Sequence, residues 1–412
     1  MSLREAKGRQ IADRVKIVKE GNLYLVPSQS GRGRYRVRPD LPYCSCPDFD
    51  FRRQPCKHIY AVQITVEKTE TTKTSVVENG KTTVTETTKV ERKTYRQEWP
   101  AYNKAQTNEK RLFLYLLNQL CQGVGEPAQL NGRPRLPLED IIFAMAYKVY
   151  STVSGRRFQS DLKDAHAKGY LSQVPSYNSM FDYFNSEMLT SYLQMLIEES
   201  SLPLASIEND FAVDSSGLST CRFVQWNRAK YFDNELIERK EWIKVHLMCG
   251  VKTNVVTSVE ITDRYAGDAP QFPALVERTA QGFLMNEVSA DKAYLSTTNL
   301  KAVTDNNAMP YIPFKSNSTG KSRTNKQSAL WKQMYHYFSY NQERFMKQYH
   351  KRSNVETTFH MIKSKFGDAL RSKTRRAQIN EALCKVLCHN ICCLIQAMYE
   401  LGLKPKFYAE AA

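Results

Sequence analysis

The amino-acid sequence predicts an α/β domain with a mixed sheet flanked by helices, preceded by an all-helical region and a small N-terminal metal-binding unit. From residue 206 onward, short β-prone segments alternate with segments of helical periodicity, which is typical of an α/β domain. Upstream of it the apolar residues recur at helical spacing, and closely spaced cysteines lie near the N-terminus. We therefore expect four segments, at residues 1–65, 66–98, 99–205 and 206–405.

The composition indicates a folded protein with a polyanionic partner. Of the 412 residues 42% are hydrophobic, which is enough for a substantial core and disfavours a mostly disordered chain. The net charge of +17 disfavours a generic small-metabolite enzyme and favours a nucleic acid or an anionic membrane surface as partner. We expect no membrane association, because the sequence has no signal peptide and no run of about 20 apolar residues.

The excess positive charge is concentrated in two stretches. Residues 1–65 carry 13 basic and 6 acidic side chains, and residues 344–376 carry 10 basic and 2 acidic ones. Two such concentrations are what two separate surfaces for a phosphate backbone would require. Two solvated basic faces remain the alternative.

The N-terminal unit begins with two predicted strands. Leu23–Val26 and Tyr35–Val37 have strand character, and Gly31 and Gly33 predict a turn between them. A helix is predicted to begin near Ile59–Val62.

Four potential ligands between these strands and the helix indicate a zinc site. Cys44 and Cys46 form one pair, and Cys56 and His58 form another after nine intervening residues. Three thiolates and an imidazole complete a closed tetrahedral zinc site, which is structural because no position remains for a reactive water. The alternative is a chance grouping of small buried residues. The pattern Cys-x-Cys, spacer, Cys-x-His resembles the SWIM zinc finger, which implies a module that binds either DNA or protein.

Residues 66–98 have the composition of a linker. They are rich in Thr, Lys and Glu and contain few large apolar groups, so this segment cannot bury enough surface to fold alone. Asn79-Gly80 between β-prone residues nevertheless predicts a hairpin.

The next two regions differ in their predicted elements. In the helical region a first helix is predicted to start at Thr107-Asn108, and others cover Ile141–Val149, Phe158–Ala167 and Tyr177–Phe184. The α/β region is predicted to contain strands at Phe211–Val213, Ile243–Met248, Val255–Thr262, Glu287–Ala290 and Tyr311–Phe314, and helices near Pro270–Gln281, Asn299–Thr304, Asn354–Phe366 and Glu381–Tyr399.

A second cysteine group lies in the last predicted helix. Spacings of four place Cys384, Cys388 and Cys392 on one face together with Leu387, and Cys393 follows. Free cysteines behave as small buried hydrophobes, so we expect core packing. A second metal site is the alternative.

Three acidic residues lie at positions that are typical of catalytic residues in α/β enzymes. Asp214 and Asp291 each end a predicted strand, and Glu356 lies in the first turn of a predicted helix. Carboxylates are suited to Mg²⁺ or Mn²⁺, and two such ions about 3.5–4 Å apart can hold the attacking and leaving oxygens of a phosphoryl transfer. Taken singly, each acid could instead be a turn residue or favour a helix N-terminus.

The surroundings of Glu356 favour the chemical interpretation. Arg352, Glu356 and Lys363 are predicted to share one helical face, with Tyr349 just before them. Cations beside a metal-binding carboxylate fit a phosphodiester backbone lying against that face.

This spacing carries a resemblance to a known family. The pattern Tyr-x2-Arg-x3-Glu-x6-Lys of residues 349–363 resembles the Tyr-Arg-Glu-Lys signature of a large group of bacterial insertion-sequence transposases. Asp214 in Val-Asp-Ser-Ser-Gly and Asp291 in Ala-Asp-Lys-Ala-Tyr resemble the first two acids of the DDE catalytic triad of that group. The resemblance covers roughly residues 206–400 and implies an RNase H-like fold.

The resemblance also implies a reaction and its site residues. Asp214, Asp291 and Glu356 would bind two Mg²⁺ or Mn²⁺ ions. Transposon-end DNA near the cut would be contacted by Tyr349, Arg352 and Lys363. Hydrolysis to a 3′-hydroxyl would precede its attack on target DNA. Residues 99–205 would form the DNA-binding region, and the protein would act on double-stranded DNA as a homodimer in a prokaryotic cytoplasm, associated with the nucleoid.

Several alternatives stay open at this stage. A metal-dependent nuclease without strand transfer and a DNA-binding regulator derived from a transposase are both compatible with the fold. Asp263 and Asp268 compete as the second acid, although their position before Pro270 favours helix capping. Trp331 could stack on an extruded base, or belong to the core. Only 64 residues separate Asp291 from Glu356, so any inserted β domain is reduced.

Overall fold

We describe a computed structural model of the chain, which forms two compact units, Met1–Tyr102 and Asn103–Ala412. The structure describes residues 3–15, 17–20, 23–28, 34–38, 43–52, 54–67, 71–78, 81–88, 98–126, 129, 131, 134–220, 242–319 and 329–407.

The N-terminal unit contains a small antiparallel sheet with three helices. The order of its strands in the sheet is the same as their order in the chain. The described elements are α1 (Leu3–Arg14), β1 (Val18–Glu20), β2 (Leu23–Pro27), β3 (Arg34–Arg38), β4 (Tyr43–Cys44), α2 (Pro47–Arg52) and α3 (Lys57–Glu67). Both predicted strands and the predicted helix are confirmed. The predicted turn at Gly31 and Gly33 lies outside the described residues. Ile11, Val26 and Ile59 are fully buried and belong to the core of this unit.

The linker segment contains the predicted hairpin. Strands β5 (Thr71–Glu78) and β6 (Lys81–Thr88) pair antiparallel, with Glu78 opposite Lys81. The Asn79-Gly80 turn itself lies outside the described residues.

Between the hairpin and the main sheet, the described residues form five α-helices, namely α4 (Trp99–Cys121), α5 (Leu138–Ser151), α6 (Gly155–Ala167), α7 (Tyr177–Phe184) and α8 (Glu187–Ser201). The predicted start at Thr107-Asn108 is wrong, because α4 already begins at Trp99. Thr107 and Asn108 instead lie inside the helix and donate their side-chain hydrogen bonds back to the carbonyls of Asn103 and Lys104, at 2.9 and 3.0 Å. Polar residues that cap a helix can also be accommodated inside one in this way.

The main sheet is mixed and has the strand order β11-β10-β7-β8-β9, which confirms the predicted α/β architecture. Strands β7, β8 and β9 pair antiparallel, whereas β10 pairs parallel with both β7 and β11. The elements are β7 (Asp210–Ser219), β8 (Trp242–Gly250), β9 (Val256–Asp263), α9 (Phe272–Gly282), β10 (Glu287–Ala290), α10 (Thr297–Asp305), β11 (Met309–Tyr311), α11 (Ala329–Tyr340), α12 (Gln342–Tyr349), α13 (Ser353–Phe366) and α14 (Arg375–Leu401).

Two strands of this region differ from the prediction, and the last helix begins at Arg375, six residues before its predicted start. The last strand spans Met309–Tyr311 and not Tyr311–Phe314; Phe314 packs edge-to-face against aromatic rings of α11. Strand β7 extends to Ser219, six residues beyond its predicted end, because it pairs with β8 along its length.

The sheet buries a different apolar cluster on each face. Phe211 and Val213 belong to one cluster with Phe272 of α9, whereas Ala212 belongs to the other, which includes the helices that precede the sheet. This alternation follows from the period of two in a strand. The helical region and one face of the sheet therefore share a hydrophobic core.

Helix α14 lies at the centre of that shared core. It packs against α5 and α8, and its cysteines Cys384, Cys388 and Cys393 are buried there, as the core-packing prediction requires. By length and composition alone α14 could cross a membrane, but most of its apolar stretch is buried inside the protein. It is therefore a core helix.

Candidate functional site

The predicted zinc ligands converge in the N-terminal unit. Cys44 ends β4, Cys46 directly precedes α2, and Cys56 and His58 lie at the start of α3. The four side chains are buried, and their potential ligand atoms all lie within 4.8 Å of one another. Three thiols and an imidazole at this separation fit a tetrahedral zinc ion.

The orientation of His58 identifies its ligand atom. Its Nδ1 lies 3.8 Å from the sulfurs of both Cys44 and Cys56, while its Nε2 is buried and has no hydrogen-bond partner among the described residues. Hydrogen bonds from Cys44 and His58 lower the pKa of the Cys56 thiol to about 3, whereas the hydrogen bond with Cys56 and burial raise the pKa of Cys44. Such crowded thiols favour deprotonation when a cation binds.

Asp214 and Asp291 lie side by side on neighbouring parallel strands. Asp291 directly follows β10, as predicted, whereas Asp214 lies inside β7 and not at its end. Because Ala290 pairs with Val213 in parallel register, the next residue on each strand is one of the two acids. Adjacent strands are about 4.8 Å apart, so both carboxylates meet at one place on the sheet.

Glu356 reaches the same place through Arg352. Glu356 lies in the first turn of α13, as predicted, but Tyr349 and Arg352 precede that helix, in α12 and in the 3-10 helix His350–Arg352. The guanidinium of Arg352 donates to Asp214 Oδ2 and to Glu356 Oε1, both at 2.5 Å. Of the three residues predicted to share one helical face, Glu356 and Lys363 lie in α13, whereas Arg352 directly precedes it and pairs with Glu356 four residues further on.

The electrostatics of Asp214 reflect this crowding. Burial raises the pKa of Asp214, and the charges of Asp291 and Glu356 raise it further, against the Ser215 N–H and Arg352. Within the described part of the chain, only the Cys44–His58 group brings three or more potential ligand atoms within 4.8 Å of one another. At the acidic cluster the Arg352 guanidinium lies between two of the three carboxylates.

The other two predicted DNA contacts flank these acids. Lys363 donates from Nζ to Ser216 Oγ at 2.6 Å, two residues beyond Asp214 along β7. The Arg352 guanidinium lies 5.9 Å from the centre of the Tyr349 ring. Burial lowers the pKa of Lys363 and raises that of Tyr349.

One residue that fixes this geometry was missed by the sequence analysis. Lys351 forms ion pairs with Asp210 at 2.9 Å and Glu287 at 2.5 Å, which tie the 3-10 helix before α13 to the first residues of β7 and β10. The sequence does not indicate this role, because Lys351 lies in a run of basic residues and its acidic partners are far away in the chain.

The alternative second acids have other contacts. Asp263 accepts the backbone N–H groups of Tyr265 and Ala266 in the turn after β9, where no helix begins, so the capping prediction is wrong for it. The capping prediction is also wrong for Asp268, whose side chain makes no capping hydrogen bond and accepts instead from Ser215 and Lys244.

Trp331 packs with the aromatic residues around α11. Its ring lies edge-to-face with Phe314, with centroids 5.0 Å apart, and its indole N–H donates to the carbonyl of Thr319. These contacts favour the core interpretation of Trp331.

Comparison with protein families identifies two domains in the chain. Residues 206–391 match the transposase DDE domain, and residues 35–66 match the SWIM zinc finger. The chain therefore carries a DDE transposase domain and a SWIM zinc finger, and the first match contains Asp214, Asp291 and Glu356. Comparison with curated proteins and with solved structures gives no significant match.

Proposed function

We propose that the protein is a DNA transposase of the bacterial insertion-sequence group with the Tyr-Arg-Glu-Lys signature. It binds transposon ends, cleaves phosphodiester bonds to free 3′-hydroxyl groups and joins these to target DNA. The DDE transposase domain is the premise, since it implies a nuclease or transposase acting on DNA. Asp214, Asp291 and Glu356 form the catalytic triad.

The observation that carries this proposal is the convergence of the three acids from separate elements. Asp214 and Asp291 come from neighbouring strands, and Glu356 is linked to Asp214 through Arg352. The strand order, with β7 between antiparallel β8 and parallel β10, supports an RNase H-like fold.

The acidic cluster fits divalent cations. Its potential ligands are carboxylate oxygens, which Mg²⁺ and Mn²⁺ prefer. Burial and the acidic neighbours of Asp214 raise its pKa, so a bound cation would stabilise its charged form. We assign two ions to Asp214, Asp291 and Glu356, which would hold them through carboxylate oxygens; such ions would supply polarisation of the phosphate and activation of the attacking oxygen.

Cationic side chains around the triad orient the DNA. Lys363 beside Ser216 and Arg352 beside Tyr349 would hold phosphates next to the reacting one, which fixes the register of the strand. The charge of residues 344–376 adds salt-dependent attraction. We assign helices α4–α8 and the zinc finger to recognition of the transposon ends, with a homodimer assembled on two ends in the prokaryotic cytoplasm, at the nucleoid.

A strand-transfer assay tests the proposal. Labelled transposon ends, supercoiled target DNA and Mg²⁺ should yield cleaved ends and joined products with the wild-type protein. Glu356→Ala should lower both yields at least about 100-fold, because it removes a metal ligand. Glu343→Ala, on the exposed surface of α12 in the same basic region, is the matched control and should keep full activity.

The outcomes separate the alternatives. Cleavage without joined products would replace transposition by a nuclease of the same fold, and end binding without cleavage would favour a regulator. Unchanged activity of Glu356→Ala would contradict the triad.

A further inference from the structure

Ser215 links Asp214 to the opposite face of the sheet. Its backbone N–H donates to Asp214 Oδ1 at 2.8 Å, and its hydroxyl donates to Asp268 Oδ1, also at 2.8 Å. Successive side chains of a strand point to opposite faces, so the Asp214 carboxylate and the Ser215 hydroxyl lie on different sides of β7. The hydrogen bond to Asp268 therefore restrains β7 at the residue next to Asp214, from the face of the sheet opposite the Asp214 carboxylate.

Strand β8 holds Asp268 in position. Lys244 Nζ lies 2.7 Å from Asp268 Oδ1 and also donates to the carbonyl of Ala266 at 3.2 Å. His246, which is opposite Ser215 in the sheet register, places Nδ1 3.4 Å from the same carboxylate oxygen without a hydrogen bond to it. The oxygen that accepts from Ser215 is thus held by Lys244 of the neighbouring strand.

Buried side chains pack beside this network, whose own Lys244 and Asp268 side chains are about one fifth exposed. Tyr294 is 1% exposed and packs against Phe272, with ring centroids 5.6 Å apart. The side chain of Asn299 donates to the carbonyls of Tyr294 and Ala269, at 2.7 and 3.0 Å, and so ties the segment after Asp291 to the segment after Asp268. These contacts restrain the segment that carries Asp268.

We propose that Asp268 is a positioning residue which, through Ser215, orients Asp214 for binding the catalytic cation. This inference rests on the proposed function, because it concerns the same acidic site. Asp268 acts from the far face of β7 and is engaged by Ser215 and Lys244, so it is not itself a cation ligand. Removing a residue that orients a metal ligand lowers metal affinity or activity about 10–100-fold.

Cation binding by the full-length, zinc-loaded protein tests this role. We would titrate Mn²⁺ by calorimetry and measure the Mg²⁺ concentration for half-maximal end cleavage. Asp268→Ala removes the acceptor and Ser215→Ala removes the donor of the same hydrogen bond. Both should weaken Mn²⁺ binding about 10-fold and raise the Mg²⁺ requirement by a similar factor, with unchanged circular dichroism.

A double variant and a matched control complete the design. If Asp268 acts through Ser215, the double variant should bind Mn²⁺ no more weakly than the single variant Asp268→Ala, because both substitutions remove one interaction. Asp263→Ala changes an acid at the start of the same loop whose carboxylate accepts from the backbone N–H groups of Tyr265 and Ala266, and should leave Mn²⁺ binding unchanged.

The failures of the two proposals are distinguishable. A wild-type protein that neither binds Mn²⁺ at this site nor cleaves with Mg²⁺ would overturn the proposed function. An active wild type with Mn²⁺ binding unchanged in Ser215→Ala and in Asp268→Ala would overturn the positioning role alone, as would a lower melting temperature without weaker binding. If Asp268→Ala does not fold, Ser215→Ala decides, since it retains the pair of Asp268 with Lys244.

Discussion

At the scale of single residues, Arg352 sets the charge balance of the candidate active site. It donates to Asp214 and Glu356 together, and its own pKa is raised by the neighbouring carboxylate of Asp214, against the effect of its burial. A planar guanidinium can serve two carboxylates in this way, which a lysine ammonium does with less geometric definition. Asp214 can therefore be kept in a crowded acidic site without a large loss of stability.

A second residue-scale property is the buried neutral imidazole of His389. It is 2% exposed, its Nε2 donates to the carbonyl of Asn254 at 2.8 Å, and burial lowers its pKa to about 4. The unfolded chain therefore takes up a proton first as the pH falls below about 6.5, so stability is lost between that pH and about 4.

We predict that His389→Gln reduces this loss. Between pH 7 and pH 5 the wild type should lose about 2 kcal/mol of unfolding free energy more than the variant does, because the variant lacks one titrating group. Urea unfolding at the two pH values measures the difference. His360→Gln, at an exposed position, is the control, and equal pH dependence of the wild type and His389→Gln would contradict the prediction.

At the scale of elements, two contacts hold the C-terminal part of α13. Lys363 reaches β7 through Ser216, and near its C-terminus Lys365 forms an ion pair with Glu109 of α4. Glu109 is buried and also accepts from the Tyr150 hydroxyl at 2.7 Å. The helix that carries Glu356 is therefore attached both to the sheet and to the helical region.

We predict that Lys365→Met destabilises the protein by about 1–2 kcal/mol. Removing one partner leaves the buried carboxylate of Glu109 without its cation, and this estimate is reduced because Lys365 is itself about one third exposed. Urea unfolding measures the change. Arg376→Met, which breaks the exposed pair with Glu187, should cost at most about 0.5 kcal/mol, and equal costs for the two variants would contradict the assignment.

At the scale of the whole molecule, the chain combines two units with different sources of stability. The unit Met1–Tyr102 has a small apolar core beside the Cys44–His58 cluster, whereas the unit Asn103–Ala412 has two larger apolar clusters. Small cores depend on metals more than large ones do, because they bury less surface.

We predict that Cys46→Ser removes the bound zinc and unfolds the N-terminal unit alone. The catalytic region should keep its thermal transition, since its core contains none of the zinc ligands. Zinc analysis and a thermal melt followed by circular dichroism measure both effects, and end binding should weaken. Cys392→Ser, in α14, is the control and should retain one zinc per chain. Stoichiometric zinc in Cys46→Ser would show that the ligand set is wrong.

Local sequence patterns are sufficient to locate some elements of the fold and not others. The helix around Glu356 was placed within one residue of its observed start, because apolar spacing identifies such a helix directly. The extension of β7 through Ser215-Ser216-Gly217 was missed, since these residues have low strand propensity and are ordered by pairing with β8. The start of α4 was missed because Thr107 and Asn108 resemble a helix cap.

The sequence by itself determined the residue types and spacings of the two candidate centres, namely the thiols and imidazole at residues 44–58 and the acids with their Tyr-Arg-Glu-Lys frame. Only the tertiary structure decided which of these side chains meet. Arg352 and Asp214 are 138 residues apart in the chain, and Lys363 and Ser216 are 147 apart. Local periodicity depends on neighbouring residues, whereas such contacts depend on how strands pair and helices pack, which no local pattern encodes.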